Sequence, residues 1–273
     1  MNQDTGLKRN LIDKFYTKKH IVDLCCDKIL ESIDISEDDI IIEPSAGNGS
    51  FIEKIKQLCK QPLFFDIRPE HDEIIEQDYL DLDYNKLKSQ KIHIIGNPPF
   101  GRQSNLAIKF IKYSSKFCNS ISFILPKSFK KDSMKRHFDS KFHNIVDMDL
   151  PENSFTINDK DYDVRCVFQI WIKKQVDRPI KQKIKPKGYI FVKKNDNPDI
   201  SIRRVGVYAG KIDKEIESKN IQSHYFVKFK QNISDNMIDD LDIKSANYTV
   251  GPKSISKEEI ISELNFRLSN SFS

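Results

Sequence analysis

The sequence predicts an α/β protein: a mainly parallel sheet covered by helices on both faces and closed by an antiparallel last strand, followed by a small, basic, β-rich C-terminal module. Three observations predict it. Short apolar runs alternate with amphipathic helical stretches over the first part of the chain, the pattern of parallel strands joined by helical crossovers. The alternation stops near residue 176, after which a proline-marked basic stretch leads into short alternating segments. The 273-residue length suits one full α/β domain and a small appendage, not two large domains. A composition of 38% hydrophobic and 31% charged residues describes a packed core under a heavily ionic surface and excludes global disorder.

Taken in order, residues 18–33 carry Ile21, Leu24, Cys25, Ile29 and Leu30 at helical spacing, which predicts an amphipathic helix leading into the fold. The apolar runs Ile40–Ile42, Leu63–Phe65, Ile92–Ile95, Ile121–Leu125, Ile145–Leu150 and Val164–Ile172 read as strands. Helical stretches are expected at Phe51–Cys59, Leu106–Phe117 and Lys130–Phe138. Only the loop Pro151–Asp163 separates the last two strands, so they should form an antiparallel hairpin. In such a sheet ligands bind beyond the carboxyl ends of the strands, so the chemistry belongs in the loops that follow them. The boundary near residue 176 gives a catalytic domain over 1–175 and a target-recognition module over 176–273. The module should hold strands at Tyr189–Val192, Ile200–Tyr208 and Tyr225–Phe229 and a terminal helix, Lys257–Leu268, with Ile260, Ile261, Leu264 and Leu268 on one face.

Net charge is +5, but between Lys173 and Lys214 thirteen Lys or Arg face four Asp, a local +9 that leaves the rest of the chain at −4. That asymmetry points one end of the molecule at a polyanion. The five cysteines show no CxxC and no metal-ligand spacing, so reduced, buried thiols and no metal site are expected. Met1–Asn10 is polar and no apolar run approaches the ~20 residues of a membrane span. A soluble, intracellular, non-secreted protein without membrane association is the expectation. The six histidines are scattered without a triad pattern, and none is assigned a catalytic role.

Three loops carry chemical signals. After the first strand the chain reads Glu43-Pro44-Ser45-Ala46-Gly47-Asn48-Gly49, a glycine turn through which a ligand can approach the main chain. A dinucleotide fingerprint would need a third glycine where Ile52 stands, which disfavours that reading. The second strand ends in Asp66-Ile67, where a carboxylate can accept both hydroxyl protons of a ribose. Asp78, beside Tyr79, could bond the amino group of an adenine. The strongest signal is Asn97-Pro98-Pro99-Phe100. Its prolines fix the backbone and remove two donors, the Asn97 oxygen and Pro98 carbonyl can each accept one hydrogen from an amine, and Phe100 offers a flat face to a planar ring.

These residues resemble the class I, Rossmann-like S-adenosylmethionine-dependent methyltransferases with an Asn-Pro-Pro-Phe motif, and in motif order the gamma-type DNA adenine-N6 methyltransferases. The resemblance spans roughly residues 11 to 174. It implies a seven-stranded methyltransferase sheet with S-adenosylmethionine as cofactor. Phe15, Tyr16 and Thr17 would hold its methionine end, joined by Glu43, Pro44, Ala46, Gly47, Gly49 and Asn97, with Asp66 and Ile67 at the ribose and Asp78 and Tyr79 at the adenine. Asn97, Pro98, Pro99 and Phe100 would form the catalytic loop, and Phe155 would pack on the target base opposite Phe100, with Tyr162 as its rival.

The activity this implies is methyl transfer to the N6 amino group of adenine in DNA or RNA. Orientation and electrostatics would carry catalysis without a perturbed general base. The base must be unpaired or flipped out of a duplex to reach the pocket. Phosphates would meet Lys181, Lys183, Lys185, Lys187, Arg203 and Arg204. The last two, adjacent on an expected strand, should face opposite ways. Two alternatives stay open: another amine, such as guanine N2 or a protein glutamine amide, or a catalytically silent nucleic-acid-binding subunit. Nothing in the sequence indicates a partner subunit.

Overall fold

The computed structural model describes residues 15–87, 91–157, 160–179, 184–231, 238, 241, 243 and 253–271, and the chain divides into two units, Met1–Arg178 and Pro179–Ser273. The first runs β1 (Tyr16–Thr17), α1 (Lys19–Ser32), β2 (Ile40–Glu43), α2 (Ile52–Lys56), β3 (Gln61–Asp66), β4 (Ile75–Glu76), β5 (Ile92–Gly96), α3 (Asn105–Ser114), β6 (Ser120–Pro126), α4 (Asp132–Lys135), β7 (Phe142–Asp149), β8 (Phe155–Ile157), β9 (Lys160–Tyr162) and β10 (Cys166–Lys173).

Seven of these strands form one sheet in the order β4-β3-β2-β5-β6-β10-β7. From β4 to β6 every pairing is parallel, and β10 runs antiparallel to both β6 and β7, between them. This is the mostly parallel seven-stranded α/β sheet with an antiparallel last strand that the sequence predicts. The fully buried strands β2, β5 and β6 are near-continuous apolar runs because both of their faces are covered. One core lies on each side: Ile21, Cys25, Ile29, Ile41, Phe51, Ile95 and Phe168 on one, Ile42, Ile94, Phe110, Phe123, Phe142 and Trp171 on the other. Strand order reverses between β2 and β5, so a crevice opens at their carboxyl ends.

Several elements differ from the sequence reading. Helix α1 buries Ile21, Val22, Cys25, Cys26 and Ile29 while Leu30 is exposed, so its apolar stripe is rotated and takes in both adjacent cysteines. All five cysteines are free and buried. The expected helix Phe51–Cys59 is the shorter α2. The expected Lys130–Phe138 is a 3-10 turn, Lys127–Lys130, followed by α4, because Phe129 and Phe138 are both drawn into one core and Phe138 stacks on Trp171 at 3.9 Å. The loop Pro151–Asp163 contains strands β8 and β9, which join β1 in a separate three-stranded sheet. At the end of the first unit Arg178 donates to the carbonyls of Phe138 and Asp139, both at 3.1 Å, and lies over the Trp171 ring.

The second unit is an antiparallel sheet ordered β11-β14-β12-β13, made of β11 (Tyr189–Val192), β12 (Ile200–Arg203), β13 (Ile212–Asp213) and β14 (His224–Phe229), with helix α5 (Lys257–Ser271). Ile260, Leu264 and Leu268 pack against Tyr189, Ile200, Ile202 and Val227. The expected strand Ile200–Tyr208 ends at Arg203, because Gly206 and Gly210 adopt positive φ angles of 93° and 98° and turn the chain. Among the described residues no helix is long and apolar enough to cross a membrane, and no group of three His, Cys, Asp or Glu is placed to hold a metal.

Candidate functional site

The glycine turn and the Asn97 loop follow β2 and β5, the two strands at the switch, and Asp66 ends the neighbouring β3. Gly47 and Gly49 have φ angles of 55° and 82°, the left-handed region that glycine enters without steric cost. The Gly47 N–H donates to Asp66 Oδ2 at 2.8 Å and the Arg68 N–H to Asp66 Oδ1 at 2.8 Å. Asp66 therefore clamps the glycine turn to the end of β3, and each carboxylate oxygen keeps a further lone pair for a ligand. Ile67, 64% exposed beside it, presents an apolar side chain to the same region.

Glu43 ends β2 and is only 2% exposed. Its side chain passes over Gly96 at the end of β5, where an added Cβ would lie 3.1 Å from Glu43 Cγ, so the missing side chain of Gly96 makes its room. Glu43 Oε2 is buried without a hydrogen-bond partner. Burial, with the charge of Asp66 adding to it, pushes this carboxyl well above the ordinary carboxylate range. Pro44 and Ala46 line the same turn and are buried.

Asn97 is set from two sides. Its Nδ2 donates to the Phe15 carbonyl at 3.4 Å and to Thr17 Oγ1 at 3.3 Å, and its own carbonyl accepts from Ser45 Oγ at 3.3 Å. The amide is thereby oriented, and its Oδ1 is buried with no hydrogen-bond partner. Pro98 and Phe100 are buried and Pro99 is half-buried. The Tyr16 ring comes within 3.7 Å of the position a Gly47 Cβ would take, and its hydroxyl donates to both Glu70 oxygens, at 2.8 and 2.7 Å. Burial and the Glu70 carboxylate push the Tyr16 hydroxyl up to about 12. Glu70 escaped the sequence reading because its partner lies 54 residues away and no local pattern links the two.

Other expected positions fall elsewhere. Tyr79 is a core residue, 1% exposed, with its hydroxyl bonded to Ser114 at 2.8 Å and its ring stacked on Phe110, so its side chain offers a cofactor nothing. Asp78 is exposed and caps the following 3-10 turn by accepting from the Leu80 N–H at 2.9 Å. Phe155 is 0% exposed and packs 6.3 Å from Phe15, so it has no free face for a base. The half-buried Tyr162 stacks on Phe15 at 5.2 Å, and Phe15 in turn lies 6.1 Å from Phe100. Phe15 and Tyr162 are thus the half-buried aromatics of this group and Phe100 and Phe155 the buried ones.

In the second unit Lys185 and Lys187 are exposed, and Asn265 holds their backbone through the Lys187 N–H and the Lys185 carbonyl. Lys181 and Lys183 lie outside the described residues. Arg203 donates through Nε to the Val205 carbonyl at 3.0 Å. The Arg204 guanidinium stands 5.2 Å over the Tyr225 ring.

No protein-family model and no curated protein matches the chain by sequence. Among solved structures the chain is similar to a Pyrococcus horikoshii protein provisionally assigned as an RNA methyltransferase, at 14% identity over 62% of this chain and 91% of that one, with a TM-score of 0.47. It is also similar to a 23S rRNA methyltransferase, at 10% identity over 60% of this chain and 71% of that one, TM-score 0.44. A third is the methyltransferase subunit of a type I restriction-modification system from Streptococcus thermophilus, at 13% identity over 61% of this chain and 46% of that one, TM-score 0.44.

Proposed function

We propose that the first unit is an S-adenosylmethionine-dependent methyltransferase acting on the N6 amino group of adenine in nucleic acid. The observation that carries this reading is the Asn97 side-chain oxygen: buried, oriented through its own amide nitrogen, and left without a donor. A buried acceptor without a partner costs about 1–3 kcal/mol, and an amino group brought to it supplies the missing donor.

The residues fit the cofactor. Glu43 Oε2 is a second buried oxygen without a partner, suited to an ammonium group, and Asp66 has lone pairs left for ribose hydroxyls. Gly47 and Gly49 permit close approach to the backbone, and Ile67 supplies an apolar surface for the adenine ring. Tyr16, fixed by Glu70, covers the glycine turn. When bound, the cofactor supplies an electrophilic methyl group on a sulfonium.

The protein's own part is orientation. An adenine amino group is a weak nucleophile because its lone pair is delocalised into the ring. Asn97 Oδ1 and the Pro98 carbonyl, each accepting one amino hydrogen, hold the nitrogen with its lone pair turned outward and stabilise the positive charge that develops on it, which is discharged when the methylated nitrogen gives up one of these hydrogens as a proton to water. Phe100, with the half-buried Phe15 and Tyr162 of the same cluster, offers the apolar surface against which a flipped base packs. The cationic residues of the second unit bind the phosphate backbone.

Transfer of labelled methyl from S-adenosylmethionine to single-stranded DNA, duplex DNA and RNA, followed by nucleoside digestion and mass identification, tests this. N6-methyladenine in any polymer is the expected product. Label on guanine, on protein or nowhere, with the cofactor bound, overturns it.

A further inference from the structure

The second unit holds a feature that the active-site reading does not use. Strands β12 and β13 pair antiparallel, Ile202 opposite Ile212, and the segment joining them, residues 204–211, is fixed from both sides. The Gly206 N–H donates to the Lys253 carbonyl at 2.8 Å, the Ile255 N–H to the Arg204 carbonyl at 2.8 Å and the Gly210 N–H to the Arg203 carbonyl at 2.7 Å. Val205 bridges Ser254. At Gly210, a Cβ would stand 2.2 Å from the Ile243 carbonyl oxygen, so the turn is pressed against its neighbour.

At the tip of this fixed turn Val207 is 75% and Tyr208 66% exposed. Two adjacent apolar side chains held out to water on a pinned scaffold form a projection. Its setting is cationic: Arg203-Arg204-Val205-Gly206-Val207-Tyr208-Ala209-Gly210-Lys211 contains three basic residues and no acid. Lys253, whose carbonyl anchors the turn, adds a fourth exposed or half-buried cation. The Arg203 guanidinium folds against the base of the turn, Nη2 lying 3.6 Å from the position a Gly206 Cβ would take.

We infer that this β12–β13 hairpin is an insertion element for duplex DNA, its Tyr208 entering the base stack with Val207 against the groove wall while Arg203, Arg204, Lys211 and Lys253 meet phosphates. The inference rests on the nucleic-acid reading above and narrows it to one polymer. An apolar side chain between base steps unstacks them and kinks the duplex, and flanking cations hold the deformed backbone. Wedges of this kind enter B-form DNA from its minor groove, whereas A-form RNA helices are met by shape and 2′-hydroxyl contacts across a wide, shallow minor groove. The projection is a short apolar turn between two strands, flanked by cations, which is the form of such a wedge, so duplex DNA is the partner it fits. Unstacking a step also lowers the cost of extracting a neighbouring base.

The test uses the full chain with a fluorescent DNA duplex and an RNA stem-loop, each titrated across a salt series. A duplex carrying 2-aminopurine reports unstacking. Tyr208→Ala is expected to weaken duplex binding about tenfold, roughly 1.4 kcal/mol, at every salt concentration with the salt slope unchanged, and to abolish the 2-aminopurine rise. Tyr208→Phe should bind within about twofold of the wild type, and Arg203→Gln should flatten the slope. Equal duplex binding by Tyr208→Ala overturns the inference. So does an effect confined to the RNA stem-loop, or a wild-type dimer that this substitution dissociates. Methylation with unaltered binding by Tyr208→Ala refutes the insertion element alone; insertion without methyl transfer refutes the activity alone.

Discussion

Replacing Asn97 by alanine separates function from stability, because the gains and losses in folding nearly cancel while the loss in catalysis does not. The substitution deletes a buried oxygen that has no donor, relieving a penalty of about 1–3 kcal/mol. It also deletes two long hydrogen bonds, of 3.4 and 3.3 Å, each at the weak end of the range at about 0.5 kcal/mol. The Phe15 carbonyl and the buried Thr17 hydroxyl lose the amide donor as well, so the net change in stability lies near zero, against the loss of about 1 kcal/mol typical of a substitution. Catalysis loses the acceptor that orients the amine, for which removal of a preorganised hydrogen-bonding group costs about 10²–10³-fold in rate, or 2.7–4 kcal/mol. Single-turnover methyl transfer, urea denaturation and calorimetric titration with S-adenosylmethionine measure the three quantities on one preparation. The expected result is a rate down at least about a hundredfold with stability nearly unchanged, and a smaller loss of cofactor affinity because Asn97 also holds Phe15 and Thr17. A rate within about fivefold of the wild type refutes the orientation argument, and a stability loss above about 2 kcal/mol refutes the claim that the oxygen lacks a partner.

Three further outcomes follow from the same geometry. Glu43 is protonated in the fold and ionised in the unfolded chain above its ordinary value of 4.5, so stability falls as pH rises from there until the raised folded pKa is reached; Glu43→Gln should remove that fall, as urea denaturation at pH 5 and 8 would show. Tyr16→Phe breaks the bond to Glu70 that fixes the ring over Gly47 and should weaken cofactor binding about fivefold, discounting a charged hydrogen bond for its exposure; titration giving equal affinity would show that Tyr16 does not cover the site. Gly210→Ala meets the Ile243 carbonyl at 2.2 Å, whereas Gly188→Ala, also at positive φ, meets nothing within 4 Å. The first should therefore cost clearly more stability than the ~1 kcal/mol of the second, and equal melting temperatures would contradict this.

The sheet was legible because its strands are apolar runs buried on both faces: Ile40–Ile42 and Ile92–Ile95 read as strands without knowledge of their partners, and each extends by one residue in the structure. The loops that end them were legible for the same reason, since turn chemistry is local. Individual roles were less so, because burial is decided by distant partners. Tyr79 follows a plausible adenine-binding acid, yet Phe110, Tyr113 and Phe117 draw its ring inward. Phe155 sits on a strand that pairs with β1, a contact between segments some 138 residues apart, and that pairing buries it. The β12–β13 turn was read as strand because Val205, Val207 and Tyr208 have strand propensity, while the positive φ angles of Gly206 and Gly210 decide otherwise.

The pairing of Glu43 and Asn97 bears on what kind of site this is. Each ends or directly follows one of two adjacent parallel strands, and each keeps a buried oxygen without a donor. Two such atoms together cost about 2–6 kcal/mol, a large share of the 5–15 kcal/mol by which a domain is stable. Hydrophobic side chains of similar size at both positions would stabilise the empty fold. Retaining two acceptors at the strand-order switch makes sense when ligands carrying donors occupy them, one against the carboxyl and one against the amide. The cofactor ammonium and the adenine amino group are two such donors, and the glycine turn and Asp66 clamp lie between them in chain order. The proposed function gives each of these two acceptors its own donor, and this assignment makes the effects of Glu43→Gln and Asn97→Ala separable: the first falls on cofactor affinity and the second mainly on the rate of transfer.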